Sequence, residues 1–235
     1  MADLKYKRVI VKISGEALAG ENGFGFDMDI VDKVVSQIID VHNLGVEVAI
    51  VVGAGNFWRG RQGVDMDRAT ADHMGMIATV INALCLQDAI ERKGVDVRVQ
   101  TAWDILRVAE PYAQRKAVSH LKKGRVVIFA CGTGNPFFST DTAVALRAAE
   151  IGADVILLAK NVDGIYDSDP KLNPNAKKYK EIKYLDFISQ ELKAMDTAAV
   201  AICKENKTPI LAFGLNEKDS IVRVVKGEEL GTWIR

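Results

Sequence analysis

The 235-residue chain carries 31 Lys plus Arg against 31 Asp plus Glu, a formal net charge of zero, and 49% of its residues are hydrophobic. A neutral chain has no basic excess to neutralise a run of nucleic-acid phosphates, and no apolar run reaches the ~18–20 residues of a membrane helix. The opening MADLKYKRVIVKISG puts charges where a secretory signal needs its apolar core, so the expectation is a cytoplasmic protein forming a single domain over 1–235, with no nucleic-acid or membrane partner.

The first predicted strand is RVIVKIS (8–14), with Lys12 and Ser14 on one face near its carboxyl end and Gly15 and Glu16 following. An ammonium beside such a turn can bind phosphate. A snorkelling surface lysine is the alternative, but Lys12 lies among Ile10, Val11 and Ile13 in a strand that should be central, where an unpaired lysine is costly. The second strand, EVAIVV (47–52), runs into Gly53, Ala54 and Gly55, then Arg59 and Arg61, whose guanidinium forks suit phosphate oxygens. The spacing matches two glycines of a dinucleotide fingerprint and fails at Trp58.

From Asp72 to Lys93 the apolar residues spread wider than one stripe, which predicts a helix covered on two sides, by its own core or by a second subunit. Strands DVRVQT (96–101) and RVVIFA (125–130) follow, the latter entering CGTGNPFFSTDTAVALRAAE. That segment again has two glycines, Phe137 where a third would stand, and Asp141 in the first turn of a predicted helix. DVILLA (154–159) and PILAFG (209–214) are further strands, and the Lys- and Pro-bearing stretch 167–184 reads as a surface excursion, with helix pattern resuming near Leu185. Continuous Val/Ile strands alternating with helices predict a three-layer α/β sandwich around a mainly parallel sheet, with sites at the strands' carboxyl ends. No internal repeat is visible.

Cys85, Cys131 and Cys203 are widely spaced and include no CxxC pair, so disulfides and zinc are not expected. A nucleophilic Cys131 would need His42, His73 or His120 as base, and the buried-thiol reading is favoured. No GxxxxGK[ST] occurs, which removes the P-loop kinases. What remains is a set of glycine-lined strand ends with Lys12, the arginines and the carboxylates Asp72, Asp141 and Asp196. Such a set suits phosphoryl transfer, which is mostly positioning and charge neutralisation. For Asp141 a helix cap, and for Asp196 a solvated residue, are the competing readings.

The motifs KISGEAL (12–18), GFGFD (23–27), VGAGNFWRG (52–60), DHMGMIATVINAL (72–84), GTGNPFFSTD (132–141), VDGIYDSDP (162–170) and LKAMDTAAV (192–200) span essentially the whole chain. Together they make it resemble the bacterial uridylate (UMP) kinases of the amino acid kinase superfamily, the DHMGM and GTGNPFFxTD pair being specific to them. The resemblance implies the amino acid kinase (carbamate kinase-like) fold and transfer of the γ-phosphoryl group of ATP to UMP in pyrimidine biosynthesis. It implies an ATP site of Lys12, Ile13, Ser14, Gly15, Gly55, Arg59, Asn161, Tyr166 and Asp169, with Tyr166 near the adenine. UMP would lie against Ala54, Asp72, Thr133, Gly134, Asn135, Pro136, Phe137, Phe138, Ser139 and Thr140. Lys12, Asp141 and Asp196 become catalytic, and Mg²⁺ arrives on the nucleotide phosphates without a protein cage. A hexamer activated by GTP and inhibited by UTP is implied too, with Gly20, Glu21, Asn22, Gly23, Phe24, Gly25 and Arg98 matching parts of the effector region.

The sequence departs from that pattern in three places. Ala54 interrupts a commonly all-glycine loop, Lys160-Asn161 replaces a Thr-Lys pair, and Gln87 and Glu91 replace basic residues seen in some relatives. The competing functions are another small-molecule kinase of the superfamily, or a storage or regulatory nucleotide binder without turnover.

Overall fold

A computed structural model of the chain describes residues 4–59, 65–170, 172–215 and 217–235. Arg61 lies outside them. The strands are β1 (Arg8–Ile13), β2 (Glu47–Val52), β3 (Val97–Thr101), β4 (Glu110–Pro111), β5 (Val126–Ala130), β6 (Val155–Lys160), β7 (Glu181–Ile182), β8 (Ile210–Gly214) and β9 (Thr232–Ile234). They form one sheet in the order β4-β3-β5-β2-β1-β6-β8-β9-β7. Every pairing is parallel except β8 with β9.

The six strands expected from the sequence are present within one residue at each end. β4, β7 and β9 were not expected. The stretch 167–184 is therefore not wholly a surface excursion, because Glu181 and Ile182 return to the sheet beside Trp233 and Ile234.

The helices are α1 (Gly15–Ala19), α2 (Met28–Asn43), α3 (Arg68–Glu91), α4 (Gln114–Lys122), α5 (Thr140–Ile151), α6 (Tyr184–Ser189), α7 (Thr197–Asn206) and α8 (Ser220–Val225). Strand alternation sorts the core into two layers. Val9, Val11 and Ile13 of β1 face α2, α3 and α8, packing with Val34, Ile38, Leu86 and Ile221. Ile10 faces the other way, toward Val144 and Ala148 of α5 and Ala199 and Val200 of α7. By the same parity Lys12 belongs to the α5 and α7 face.

Contrary to the expectation that no segment is long and apolar enough to cross a membrane, α3 is so by length and composition. Its Met76, Val80, Ala83, Leu86 and Ile90 are instead buried in the core, while Met74, Ile77 and Ile81 on its far side are exposed. One chain thus covers one side of this helix, and the reading in which its own core covers both is corrected.

Candidate active site

The carboxyl ends of β1 and β2 come close together because the turns after them are glycines. A Cβ on Gly15 would fall 2.7 Å from the Gly55 nitrogen and 2.9 Å from the Gly53 carbonyl. None of Gly15, Gly53 and Gly55 has a positive φ, so at Gly15 it is contact distance that demands glycine, whereas a Cβ on Gly53 would make only ordinary contact at 3.4 Å and one on Gly55 would press on the Glu16 side chain at 2.8 Å. Ala54 likewise lacks a positive φ and is accommodated without strain. Ser14 caps α1, its hydroxyl accepting the Ala17 N–H at 3.2 Å.

Lys12 is 9% exposed, and its Nζ lies 2.9 Å from Asp141 Oδ1 on the first turn of α5. The cap of that helix is Ser139, whose hydroxyl accepts the N–H groups of Asp141 and Thr142. Asp141 is therefore free of capping and holds the lysine. Asp196 is the N-cap residue of α7 but its side chain makes no cap bond; it opens instead into a cleft of about 450 Å³. Half-buried Lys160, at the end of β6, shares this neighbourhood. Burial pulls its ammonium below the ordinary lysine range, Asp141 and Asp196 oppose that, and Lys12 adds to it.

The cleft is lined by Ala54, Gly55, Arg59, Asp72, Thr133, Phe137, Phe138, Ser139, Thr140 and Asp196, together with Trp58, Arg68, Gly75, Met76, Thr79 and Gly132. Its wall around Asp72 and Phe137 is braced by side-chain bonds. Asp72 Oδ2 accepts the Phe137 N–H at 2.8 Å and the Arg68 Nε–H at 2.9 Å, while the Arg68 guanidinium lies 5.8 Å from the Phe137 ring centre. Phe137 has φ 69° and Cys131 has φ 62°, the left-handed region where glycine is usual. Outside bonds hold both, Asp72 accepting the Phe137 N–H and the Thr79 hydroxyl the Cys131 N–H at 2.8 Å, and between them the Gly134 carbonyl accepts from the Trp103 indole at 2.9 Å.

Behind Gly53 and Gly55 lies a buried amide pair absent from the sequence reading. Asn56 and Asn82 exchange hydrogen bonds at 2.9 and 2.7 Å, Asn82 Nδ2 donates to the Gly53 carbonyl at 2.6 Å, and Asn56 Nδ2 donates to the Gly25 carbonyl at 2.8 Å. Their signal in the sequence was a polar residue amid an apolar helix run, VINALC. Arg68, Thr79 and Lys160 were also passed over as site residues, Lys160 appearing only as a departure from a motif.

Not every expected residue reaches the cleft. Gly134, Asn135 and Pro136 belong to the acceptor loop but do not line it. Asn161 and Asp169 are exposed outside it, and the Tyr166 hydroxyl donates to Asp163 at 2.7 Å. Arg59 pairs with Glu16. Gly25 meets the Asn56 loop, whereas Arg98 contacts the Glu110 side of the sheet; among the described residues no hydrogen bond or ion pair joins Arg98 to residues 20–25. Cys131 is fully buried, and that burial pushes its thiol pKa up, the reverse of an activated nucleophile.

The fold has counterparts among known proteins. Residues 7–213 match the model of the amino acid kinase family. The crystal structure of UMP kinase from Bacillus anthracis superposes with a TM-score of 0.95 at 40% identity, over 98% of this chain and 96% of that one. UMP kinase from Ureaplasma parvum gives 0.91 at 38% identity over 97% and 98%. Uridylate kinase from Archaeoglobus fulgidus gives 0.76 at 27% identity over 97% and 99%.

Proposed function

This chain belongs to the amino acid kinase family, and on that premise we propose that it transfers the γ-phosphoryl group of ATP to UMP, giving ADP and UDP for pyrimidine nucleotide synthesis. The observation that carries the reading is the single cleft in which the Asp72 and 132–140 wall faces Asp196 and the glycine turns beside Lys12. ATP phosphates would lie along Lys12, Ile13, Ser14, Gly15, Gly55 and Arg59, with the base toward Asn161, Tyr166 and Asp169. UMP would take Ala54, Asp72 and the loop Thr133 to Thr140. The unit that does this is a single amino acid kinase domain over 1–235, working in the cytoplasm.

A monophosphate has its second pKa near ~6, so at neutral pH its oxygen is already an anionic nucleophile and needs no histidine base. That oxygen forms the new bond to the γ-phosphorus while the bond to the β–γ bridging oxygen breaks, its electron pair leaving with ADP. Lys12, oriented by Asp141, neutralises charge on the group in flight. Among the described residues no cluster of three His, Cys, Asp or Glu side chains could cage a metal, whereas the Asp196 carboxylate, a hard oxygen acceptor opening into the cleft, suits the water shell of Mg²⁺ carried by ATP. When bound, that ion would supply charge neutralisation and phosphate alignment.

The exposed apolar residues Met74, Ile77 and Ile81 support a homo-oligomer, which we take to be a hexamer. Activation by GTP and inhibition by UTP belong to the same reading. An effector site combining Gly20, Glu21, Asn22, Gly23, Phe24 and Gly25 with Arg98 would then draw on two subunits, since among the described residues no hydrogen bond or ion pair joins Arg98 to residues 20–25 within one chain. ADP release measured side by side with UMP, CMP, aspartate and acetylglutamate, each with and without GTP and UTP, tests the reading. Turnover confined to aspartate or acetylglutamate would assign another kinase of the family, and binding of UMP without turnover would assign a non-catalytic nucleotide binder.

A further inference from the structure

Among the described residues four cations border the place where two anionic phosphates have to meet, and three of them are already matched by acids. Lys12 is paired with Asp141, Arg68 with Asp72, and Arg59 with Glu16. Lys160 differs: among the described residues its ammonium makes no ion pair and no side-chain hydrogen bond.

Its position is set by strand register. Lys12 stands opposite Leu158 of β6, and Lys160 is two residues farther along that strand. Side chains two apart share a face, so both lysines point to the α5 and α7 layer, with Lys160 one pleat nearer the carboxyl rim. Its register partner on β8 is Gly214, which puts no side chain beside it, and its carbonyl accepts the Leu215 N–H at 2.8 Å. The charges acting on it are Asp141 from α5, Lys12 from β1 and Asp196 ahead of α7. Asp196 itself lines the cleft.

A half-buried ammonium with three unused donors is a cost to the fold that a methionine at the end of VILLA would avoid. The arrangement makes sense if the missing acceptor is an anionic ligand. We infer that Lys160 is a second catalytic cation, whose ammonium donates to the oxygens of the phosphoryl group passing between ATP and UMP. It transfers no proton. The bonds made and broken are those already given, and Lys160 adds charge stabilisation where negative charge gathers. Because Lys12 is held by Asp141, the two lysines divide the work: one is positioned by an acid before substrate arrives, and the other is completed by substrate. This inference rests on the UMP kinase reading.

The test uses the full chain and its Lys160→Met and Lys160→Arg variants, with kcat and both KM values for UMP-dependent ADP release measured from pH 6 to 10 and thermal melts alongside. Removing a donor aimed at developing charge typically costs ~10²–10³ in kcat, and Lys160→Met is expected to fall in that range with both KM values changed less than about threefold. A lysine held below its ordinary range loses its charge as pH rises through the lowered value, so wild-type kcat should decline on the alkaline side earlier than an ordinary lysine would allow. Lys160→Arg should keep measurable turnover and move that decline to higher pH, since guanidinium stays charged. That shift is the outcome a merely structural lysine would not give, and it is readable even if Lys160→Met fails to fold. Lys160→Met with kcat within about threefold of wild type, or an alkaline limb unmoved in Lys160→Arg, overturns the inference while leaving the UMP kinase reading intact. A wild-type chain that phosphorylates no UMP overturns both.

Discussion

The acceptor wall and the donor-base end of this molecule are built differently. Around Asp72 and residues 131–140, side chains from α3 and from the segment after β3 hold the loop by hydrogen bonds spanning 31 to 65 positions in sequence. At Asn161, Tyr166 and Asp169 the expected nucleotide contacts sit on turns, with Asn161 and Asp169 exposed, and the Tyr166 and Lys178 bonds to Asp163, at 2.7 and 2.8 Å, span only 3 and 15 positions. The first wall is assembled before any ligand arrives, left-handed residues included. The second offers a surface that a nucleotide would complete. On the proposed reading, selectivity for the acceptor would be a property of the folded core, whereas the donor base would be met by parts that can change with little effect on stability.

Perturbing the point where the walls meet should have the largest effect. Lys12→Ala removes the cation that Asp141 orients, and kcat is expected to drop by more than about 10²-fold with the fold retained. Kinetics with both substrates varied, alongside circular dichroism, check it; retention of half the wild-type kcat would refute the catalytic assignment.

Next comes the brace behind the glycine turns. Asn82→Ala orphans the Gly53 carbonyl and Asn56 Oδ1, buried groups whose loss of partners costs ~1–3 kcal/mol each, and leaves Asn56 Nδ2 its bond to the Gly25 carbonyl. About 2 kcal/mol of lost stability, read by urea unfolding, is expected, with a higher KM for UMP as the loop loosens. An unchanged unfolding midpoint would show that the amide pair is not a brace.

Asp72→Asn keeps one oxygen but loses the charge that holds Arg68 and the Phe137 N–H, so the KM for UMP should rise about tenfold, ~1.4 kcal/mol, with little change for ATP. Equal rises in both constants would erase the distinction between the walls.

The smallest effect belongs to the donor end. Tyr166→Phe deletes a single part-buried bond to Asp163 at the rim, and changes of this kind near the surface stay within about 0.5 kcal/mol, so stability and the KM for ATP should hardly move. A severalfold rise in the KM for ATP alone would instead place the hydroxyl on the nucleotide.

Read alone, the sequence determined the layers and pointed to the strand ends where the candidate cleft lies. Its Val/Ile runs at 8–14, 47–52 and 154–159 are legible because a parallel strand buried on both faces must be apolar at every position, and glycine at the strand ends marks where backbone must approach backbone. Motif resemblance then supplied the chemistry. Tertiary structure decided the rest. β4, β7 and β9 are two- or three-residue edge strands, too short to show a period, and they exist only because a neighbouring strand offers hydrogen bonds. Phe137 and Cys131 take left-handed backbone that local preference disfavours, held by bonds from Asp72 and Thr79 more than fifty residues away. Whether Asp141 caps its helix or grips Lys12, and whether Lys160 is a surface charge or an unmatched cation beside the cleft, depended on which strands became neighbours and in what register. That information is long-range, and no window along the chain contains it.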